Sequence, residues 1–443
     1  MLKSLAVGFV GLLCTAMALA QAQEPANTVA ALSDAAIKAY RAKDYATFLD
    51  YEKRALALEP GNPRAMYNVA CGEALTGHAD AAVQLLNTLV ARKLDLGAET
   101  DEDFAAIRGS GSAAWAGFLA KLAALRQPIV KSTVAFRLDD PTLIATGLAI
   151  DSRNDDVYIA SVRHRKIVRR TKAGVVSDFI REGQDGFLAG ASLAIDSSRR
   201  VLVASTSATP LMTGYPKDAS PMGGESAGVF VFNLQSGALV RKAMLGIGAE
   251  VPAGRHFLNT LAIDRAGTIY VSDSGTPGIY RLAPGSDRLE LFAGADLFHA
   301  TQGLALSDDE RTLFVADYTD GLWAIDLATK APPKTKRRID APGDAWLGGM
   351  DGLSRVADGF ITVQIGVRPE RVAHLHLDAS HQHITRVDIL EMNHPDYAGP
   401  IQGVISGRGF LYIANSQLPI VNQQTGEIPA DRARPTIILR LPF

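Results

Sequence analysis

One pattern returns six times between Thr146 and Asn415, about every 40 to 70 residues, and it constrains the fold more than any other feature. Each copy has a polar residue, a short apolar run, a turn and a second β-branched run. An example is Asn259-Thr-Leu-Ala-Ile-Asp264 followed by Ile269-Tyr-Val-Ser-Asp273. Further short strands usually follow each copy, and four strands per unit at this spacing are typical of a propeller blade. The sequence therefore predicts a mainly β, six-bladed propeller over residues 132–443.

The sixth copy has one clear strand left after it, Thr436–Leu441, so its blade lacks an outer strand. We expect Thr133–Leu138, at the start of the propeller, to supply that strand, because pairing of the two chain ends closes the ring and removes exposed edges.

Residues 27–127 have a different texture, rich in Ala and Leu at helical spacing. They repeat weakly at the period of ~34 residues that is typical of tetratricopeptide (TPR) repeats. We predict an N-terminal all-α, TPR-like domain. It has two possible roles, binding a protein partner or capping the fold.

The N-terminus predicts export. Lys3 precedes an apolar run from Leu5 to Ala20, and small residues follow it, so residues 1–22 are interpreted as a signal peptide. The mature protein is then expected to be periplasmic or secreted, with no membrane association after cleavage. A net charge of −2 gives no attraction to phosphate backbones, and nucleic acid is not expected as a partner.

Polar residues recur where strands reach one face of the predicted ring. In a propeller, the inner strand of each blade starts at the face to which the second strand returns. Carboxylate, carboxamide and hydroxyl oxygens from several blades can surround a divalent cation, and Ca²⁺ takes 6 to 8 of them. We predict Asn259, Gln302, Asp351 and Asn415 as ligands of Ca²⁺, with Zn²⁺ or Mn²⁺ as alternatives. The residues that begin the six inner strands are Thr146, Ala191, Asn259, Gln302, Asp351 and Gln402.

Two histidines lie at matching offsets, since His256 precedes Asn259 by three residues and His299 precedes Gln302 by three. An imidazole at the rim can act as a general base. His256, His299 and Asp317 are the predicted catalytic residues, although Asp317 is equally suited to capping the end of its strand.

Other features of the propeller segment have simpler interpretations. Four histidines alternate along a strand and its turn: His374, His376, His381 and His383. Their spacing is not that of a zinc motif, and we interpret this segment as a solvated blade face. Long connections at Ser207–Ala227 and Gln417–Pro435 are expected to cover the channel mouth and to restrict ligand entry.

Several segments of the chain resemble the SMP-30, gluconolactonase and luciferin-regenerating-enzyme-like propellers. They include Leu258–Ser274, Gln302–Ser307, Met350–Leu353 and Tyr412–Ser416. The resemblance implies a divalent metal at the channel mouth, held by a Glu of the first blade, an Asn before Gly and an Asp before Gly. Asp351-Gly352 matches the last of these, whereas Gln302-Gly303 has Gln in place of Asn, and Thr146-Gly147 has Thr in place of Glu.

Two functions follow from these residues. The first is a secreted metal-dependent hydrolase that acts on a lactone or related ester. The second is a non-catalytic periplasmic binding protein that presents its propeller mouth and its TPR-like helices as recognition surfaces.

Overall fold

A computed structural model of the protein describes residues 26–216, 226–246, 251–328 and 331–443. The predicted signal peptide lies outside the described residues and stays a prediction. No described helix is long and apolar enough to cross a membrane. The chain forms two compact units: one holds the described residues up to Leu85 with Glu102–Ser110, and the other holds Leu86–Asp101 and Gly111–Phe443.

Helices form the N-terminal segment, as the Ala- and Leu-rich texture predicted. The α-helices are α1 (Val29–Arg41), α2 (Tyr45–Leu58), α3 (Pro63–Leu75), α4 (Ala79–Ala91), α5 (Ala105–Gly109) and α6 (Ala113–Leu125). Capping residues start four of them: the side chains of Thr28, Asp44, Asn62 and Ser112 accept amide hydrogen bonds from the first turns of α1, α2, α3 and α6. In the first unit, α2 and α3 approach closely at Gly72, where a Cβ would lie 2.9 Å from Leu49 Cδ1.

In the part of the chain that the structure describes, twenty-four strands form six four-stranded antiparallel sheets. In chain order they are β1 (Thr133–Leu138), β2 (Ala145–Asp151), β3 (Asp156–Ser161), β4 (Lys166–Arg170), β5 (Val176–Ile180), β6 (Ala189–Asp196), β7 (Val201–Ser207), β8 (Ala227–Asn233), β9 (Leu239–Met244), β10 (Leu258–Ile263), β11 (Ile269–Asp273), β12 (Gly278–Leu282), β13 (Leu289–Ala293), β14 (Thr301–Leu306), β15 (Thr312–Asp317), β16 (Gly321–Asp326), β17 (Arg337–Arg338), β18 (Met350–Val356), β19 (Gly359–Gln364), β20 (Arg371–Leu377), β21 (Ile384–Met392), β22 (Ile401–Ser406), β23 (Gly409–Ile413) and β24 (Thr436–Leu441). Blades 1 to 5 take consecutive sets of four from β2 onward. The six-bladed propeller is confirmed.

The ring closes as predicted. The sixth blade has the order β1-β24-β23-β22, so the first strand of the propeller is the outer strand of its last blade. β1 runs antiparallel to β24, with Val134 opposite Leu439 and Leu138 opposite Thr436. The two ends of the propeller are therefore joined by backbone hydrogen bonds.

Apolar side chains fill the interfaces between neighbouring blades. The Asp at the far end of the inner strand accepts turn-amide hydrogen bonds in blades 1 and 3. Asp151 accepts two hydrogen bonds from Arg200 of the next blade at 2.9 and 2.6 Å, and these lower the pKa of its carboxyl. Asp264 accepts an amide hydrogen bond from Thr268 at 2.7 Å.

Candidate functional site at the propeller mouth

A β-bulge lies near the mouth end of every inner strand. In blade 3, Leu258 pairs with Asp273 and the next pair is Leu261 with Val271, so the inner strand carries one extra residue there. The other five inner strands show the same register shift. Bulges re-aim side chains next to active sites. Asn259, Gln302, Asp351 and Gln402 lie at these bulges, which is why they can point into the mouth.

Four polar side chains from successive blades meet at this end of the channel. The Asn259 Nδ2 amide donates to Gln302 Oε1, and Gln402 Nε2 donates to Asn259 Oδ1 at 2.9 Å. The Gln402 backbone N–H donates to Asp351 Oδ2 at 3.4 Å, and the Asn259 side chain also hydrogen-bonds Asp351. We call Asn259, Gln302, Asp351 and Gln402 the mouth cluster.

Asp351 supplies the carboxylate of the mouth cluster. Its exposed fraction is 7%, and burial raises the pKa of its carboxyl to about 6, although the hydrogen bonds from Gln402 and Asn259 act in the opposite direction. No Lys, Arg or His among the described residues forms an ion pair with it. A buried carboxylate without a counter-charge is costly, and a bound cation would remove that cost.

Serine hydroxyls of the second strands hold the bulges in place. Ser205 Oγ donates to the Asn259 carbonyl at 2.7 Å, and Ser272 Oγ donates to the Gln302 carbonyl at 2.6 Å. Each serine thus binds the backbone of a mouth-cluster residue in the following blade. The sequence interpretation missed this role. The signal is the shared position of both serines, late in the second strand of blades 2 and 3.

The glycine that follows the polar residue in several copies has a steric reason. A Cβ on Gly303 would lie 2.8 Å from the Gly352 carbonyl carbon of the next inner strand. A Cβ on Gly147 would lie 2.9 Å from Ser192 Cα. At Gly147 and Gly303, the neighbouring inner strands therefore approach too closely for a larger residue.

Two of the predicted catalytic residues are engaged in hydrogen bonds that organise blade connections. His256 Nδ1 lies 2.5 Å from Asp273 Oδ2, and its Nε2 lies 3.1 Å from the Pro252 carbonyl. Both ring nitrogens therefore face acceptor oxygens of the blade connection, which fixes the orientation of the ring.

Asp317 caps the end of its strand. Its carboxylate accepts hydrogen bonds from the amides of His299 at 2.8 Å, Ala300 at 3.1 Å and Thr319 at 3.1 Å. Burial opposes ionisation of Asp317, yet these hydrogen bonds outweigh it and lower the pKa of the carboxyl. A carboxylate held in this way is a weak base. The side chain of His299, on the same connection, is exposed.

Two residues named in the sequence analysis, Asn415 and Thr146, form hydrogen bonds outside the mouth cluster. Asn415 Oδ1 accepts from the Ile437 amide at 2.6 Å, and its Nδ2 donates to the Pro435 carbonyl at 2.8 Å. Its side chain is thus used to join β24 to the end of β23. Thr146 Oγ1 donates to the Gly190 carbonyl at 2.7 Å, which links blades 1 and 2. The structure brings Asn259, Gln302 and Asp351 together and adds Gln402 to them.

A cleft of about 940 Å³ opens at the mouth end between blades 5 and 6. Its lining includes Tyr318, Glu370 and Ile401, the residue before Gln402, but no mouth-cluster residue. Burial raises the pKa of Glu370 to about 7, against a hydrogen bond from the Gly399 amide and the charge of Arg368. Burial, followed by the negative charges of Asp351 and Glu370, raises the pKa of Tyr318 to about 12. Tyr318 therefore lies within electrostatic reach of both carboxyls.

The two long connections meet over blades 1 and 2, within the parts that the structure describes. Leu211 and Met212 of the first pack in one buried cluster with Val421 of the second, above Ile144 and Val162. Residues 217–225 of the first connection lie outside the described residues. The predicted cover of the whole mouth stays a prediction for that segment.

Comparison with known proteins gives matches to solved structures alone. No protein-family model and no curated protein matches the chain. Among the solved structures, a luciferin-regenerating enzyme matches at 10% identity with a TM-score of 0.49, over 72% of this chain and 96% of the other. Regucalcin from Agrobacterium tumefaciens, described as a calcium-binding protein, matches at 15% identity with a TM-score of 0.45, over 70% and 94%. A gluconolactonase from Xanthomonas campestris matches at 16% identity with a TM-score of 0.44, over 71% and 94%. These identities leave the chemistry to be argued from the site itself.

Proposed function

We propose that the protein is a metal-dependent hydrolase that acts on a lactone or a related ester at the mouth of its propeller channel. The observation that carries this proposal is the mouth cluster. One buried carboxylate and three carboxamides, from four successive blades, meet around one end of the channel. A purely structural core would place apolar side chains at these positions.

A divalent cation fits the chemistry of the mouth cluster. Asp351 is a buried carboxylate without a cationic partner among the described residues, and the three carboxamides offer the hard oxygens that Ca²⁺ takes. Asn259, Gln302, Asp351 and Gln402 would hold the ion, with Zn²⁺ or Mn²⁺ as alternatives to Ca²⁺. When bound, such an ion polarises a carbonyl group and stabilises negative charge on its oxygen. Asn415 is omitted from this set because backbone groups engage both ends of its carboxamide.

Other groups of the chain would bind the substrate and move its protons. The amide N–H groups of Asn259 and Gln402 can donate to an oxygen that gains charge in the transition state. The cleft beside Ile401 is wide enough for the rest of a small substrate. Glu370 is the proton acceptor that the structure supports best, because its pKa of about 7 suits general base catalysis near neutral pH. His299 is retained as the alternative acceptor.

One observation favours the non-catalytic alternative, a binding protein of the periplasm. Asn259, Gln302 and Gln402 already hydrogen-bond one another, so these three carboxamides have partners without a ligand. Under both functions we propose a periplasmic or secreted location. We also propose that the TPR-like helices bind a protein partner.

The test is hydrolysis by the metal-stripped chain, prepared without residues 1–22, of a panel of lactones and aryl esters. We expect turnover to return on addition of Ca²⁺, Mn²⁺ or Zn²⁺, and Asp351→Asn to lower kcat by about 100-fold or more. The control Glu290→Gln removes an exposed acid on β13 and should leave kcat unchanged. A metal-dependent rise in Tm without turnover would support the binding protein. If neither turnover nor Tm responds to metal, the proposed function is wrong.

A further inference from the structure

Three ligand-type side chains lie together on blade 5, at the end away from the mouth. His374 and His376 are two residues apart on β20, and side chains at this spacing share one face of a strand. Asp358 lies in the tight turn between β18 and β19, and its neighbour Gly359 pairs with His376. The turn therefore places a carboxylate directly beside two imidazoles.

The geometry of the three groups is close to that of a metal site. His374 Nε2 lies 3.0 Å from Asp358 Oδ1, and His376 Nδ1 lies 2.8 Å from Asp358 Oδ2. One ligand atom from each residue can be chosen so that all three lie within 4.8 Å of one another. Tetrahedral Zn²⁺ with bonds of ~2.0 Å separates its ligand atoms by roughly 3.3 Å. Entry of the ion would require shifts of only a few tenths of an ångström at these two contacts.

A further carboxylate supports one of the imidazoles. His376 Nε2 lies 3.0 Å from Asp388 Oδ2, and Arg386 holds the same carboxylate at 2.9 Å. A metal on Nδ1 requires the proton to be on Nε2, which then donates to Asp388. Arg386 Nη2, which also lies 3.0 Å from Nε2, would then bond to the Asp388 carboxylate alone. Carboxylates in this supporting position are a regular feature of metal-bound histidines, because they fix the tautomer and the ring orientation.

Burial separates this arrangement from an ordinary solvated surface. The exposed fractions of the His374 and His376 side chains are 12% and 14%, and their ring centroids are 3.8 Å apart. Asp358 is 57% exposed, which leaves a path for an ion to enter. The sequence analysis predicted a solvated blade face for the four histidines of this segment, but the His374 and His376 rings are largely buried.

We infer that His374, His376 and Asp358 form a second metal site, specific for Zn²⁺ or a similar borderline transition metal. Two imidazoles and one carboxylate suit such ions, whereas Ca²⁺ prefers the all-oxygen mouth cluster. Three protein ligands leave one tetrahedral position for water. The ion ties the β18–β19 turn to β20 and thereby stabilises blade 5. The site is independent of the proposed hydrolase.

The test is calorimetric titration of the metal-stripped full chain with Zn²⁺, together with Tm measured with and without Zn²⁺. We expect His376→Gln and Asp358→Asn each to weaken Zn²⁺ binding by about tenfold or more, and to abolish the rise in Tm. His383→Gln is the matched control, since His383 is a histidine of the same segment that is paired with Asp378 instead. Asp351→Asn, at the mouth cluster, should also leave this Zn²⁺ site intact. Far-UV circular dichroism checks that each variant is folded.

Two results would overturn the inference. One is an unchanged Zn²⁺ isotherm in both His376→Gln and Asp358→Asn. The other is loss of Zn²⁺ binding in Asp351→Asn with full retention in His376→Gln, which would place the ion at the mouth. Failure of the hydrolase assay alone would leave the inference about the blade 5 site unchanged.

Discussion

Asp351 combines a stability cost with a proposed function. Folding raises the pKa of its carboxyl from 3.8 to about 6, which corresponds to about 3 kcal/mol at most. A raised pKa means that the carboxyl binds its proton more tightly in the folded state than in the unfolded state. Its contribution therefore becomes unfavourable as the pH rises from about 4, and the full cost is present above about 6.

The variant Asp351→Asn mimics the protonated carboxyl at every pH. Without metal, we expect its free energy of unfolding to equal that of the wild type near pH 4. It should exceed the wild-type value by up to about 3 kcal/mol at pH 8. Urea denaturation across this pH range measures the difference. A gap that does not change with pH would show that Asp351 titrates normally in the folded protein.

At the residue scale, the repeat predicted which side chains reach the mouth but not what each one binds. Asn259, Gln302 and Asp351 were predicted from the first residues of their inner strands, and the structure brings them together. Asn415 follows the second strand of blade 6, and its side chain hydrogen-bonds the backbone at the start of β24. The position of a residue in the repeat shows at which end of the blade it lies. Which groups its side chain hydrogen-bonds depends on the neighbouring loop. The sequence pattern does not contain that information.

The inner-strand bulge is the element that places the mouth cluster. Gly303 lies in the bulge of blade 4, where an added methyl group would meet the backbone of Gly352. Gly303→Ala should cost about 1 to 3 kcal/mol by overpacking, and it should displace the neighbouring Gln302. We expect a lower midpoint in urea and a weaker response of Tm to Ca²⁺.

Gly343→Ala is the matched control, because a Cβ there would have no neighbour within 4 Å. Equal effects of the two substitutions would contradict the proposed role of the bulge. The strands themselves were predictable from alternating apolar runs, and β1 and β24 have the predicted bounds. The bulges were not predictable, since an apolar run looks the same in sequence with or without one extra residue.

At the scale of the whole molecule, one strand closes the propeller. Leu138 of β1 is 4% exposed and packs in a cluster shared by blades 1 and 6. Leu138→Ala should cost about 2 to 5 kcal/mol, as large-to-small core substitutions do. Because this strand joins both ends of the ring, we expect the loss to affect the entire propeller in a single urea transition.

Val134→Ala, in the same strand but 37% exposed, should change the free energy of unfolding by less than about 0.5 kcal/mol. Loss of blade 6 alone, seen as a separate transition, would contradict closure by β1. The number of blades and their closure were predictable because both follow from counting repeats. The grouping of Leu86–Asp101 with the propeller was not predictable. It depends on long-range contacts such as the hydrogen bond that the Asp95 amide donates to the Arg368 carbonyl at 2.8 Å.

The central claim is that the mouth cluster binds a divalent cation. Calorimetric titration of the metal-stripped chain with Ca²⁺ tests it most directly, in the His376→Gln background so that the proposed blade 5 site does not contribute. We predict one Ca²⁺ bound per chain, lost in the further substitution Asp351→Asn and retained with Glu290→Gln. Absence of Ca²⁺ binding in the His376→Gln chain, or binding that survives Asp351→Asn, would contradict the account.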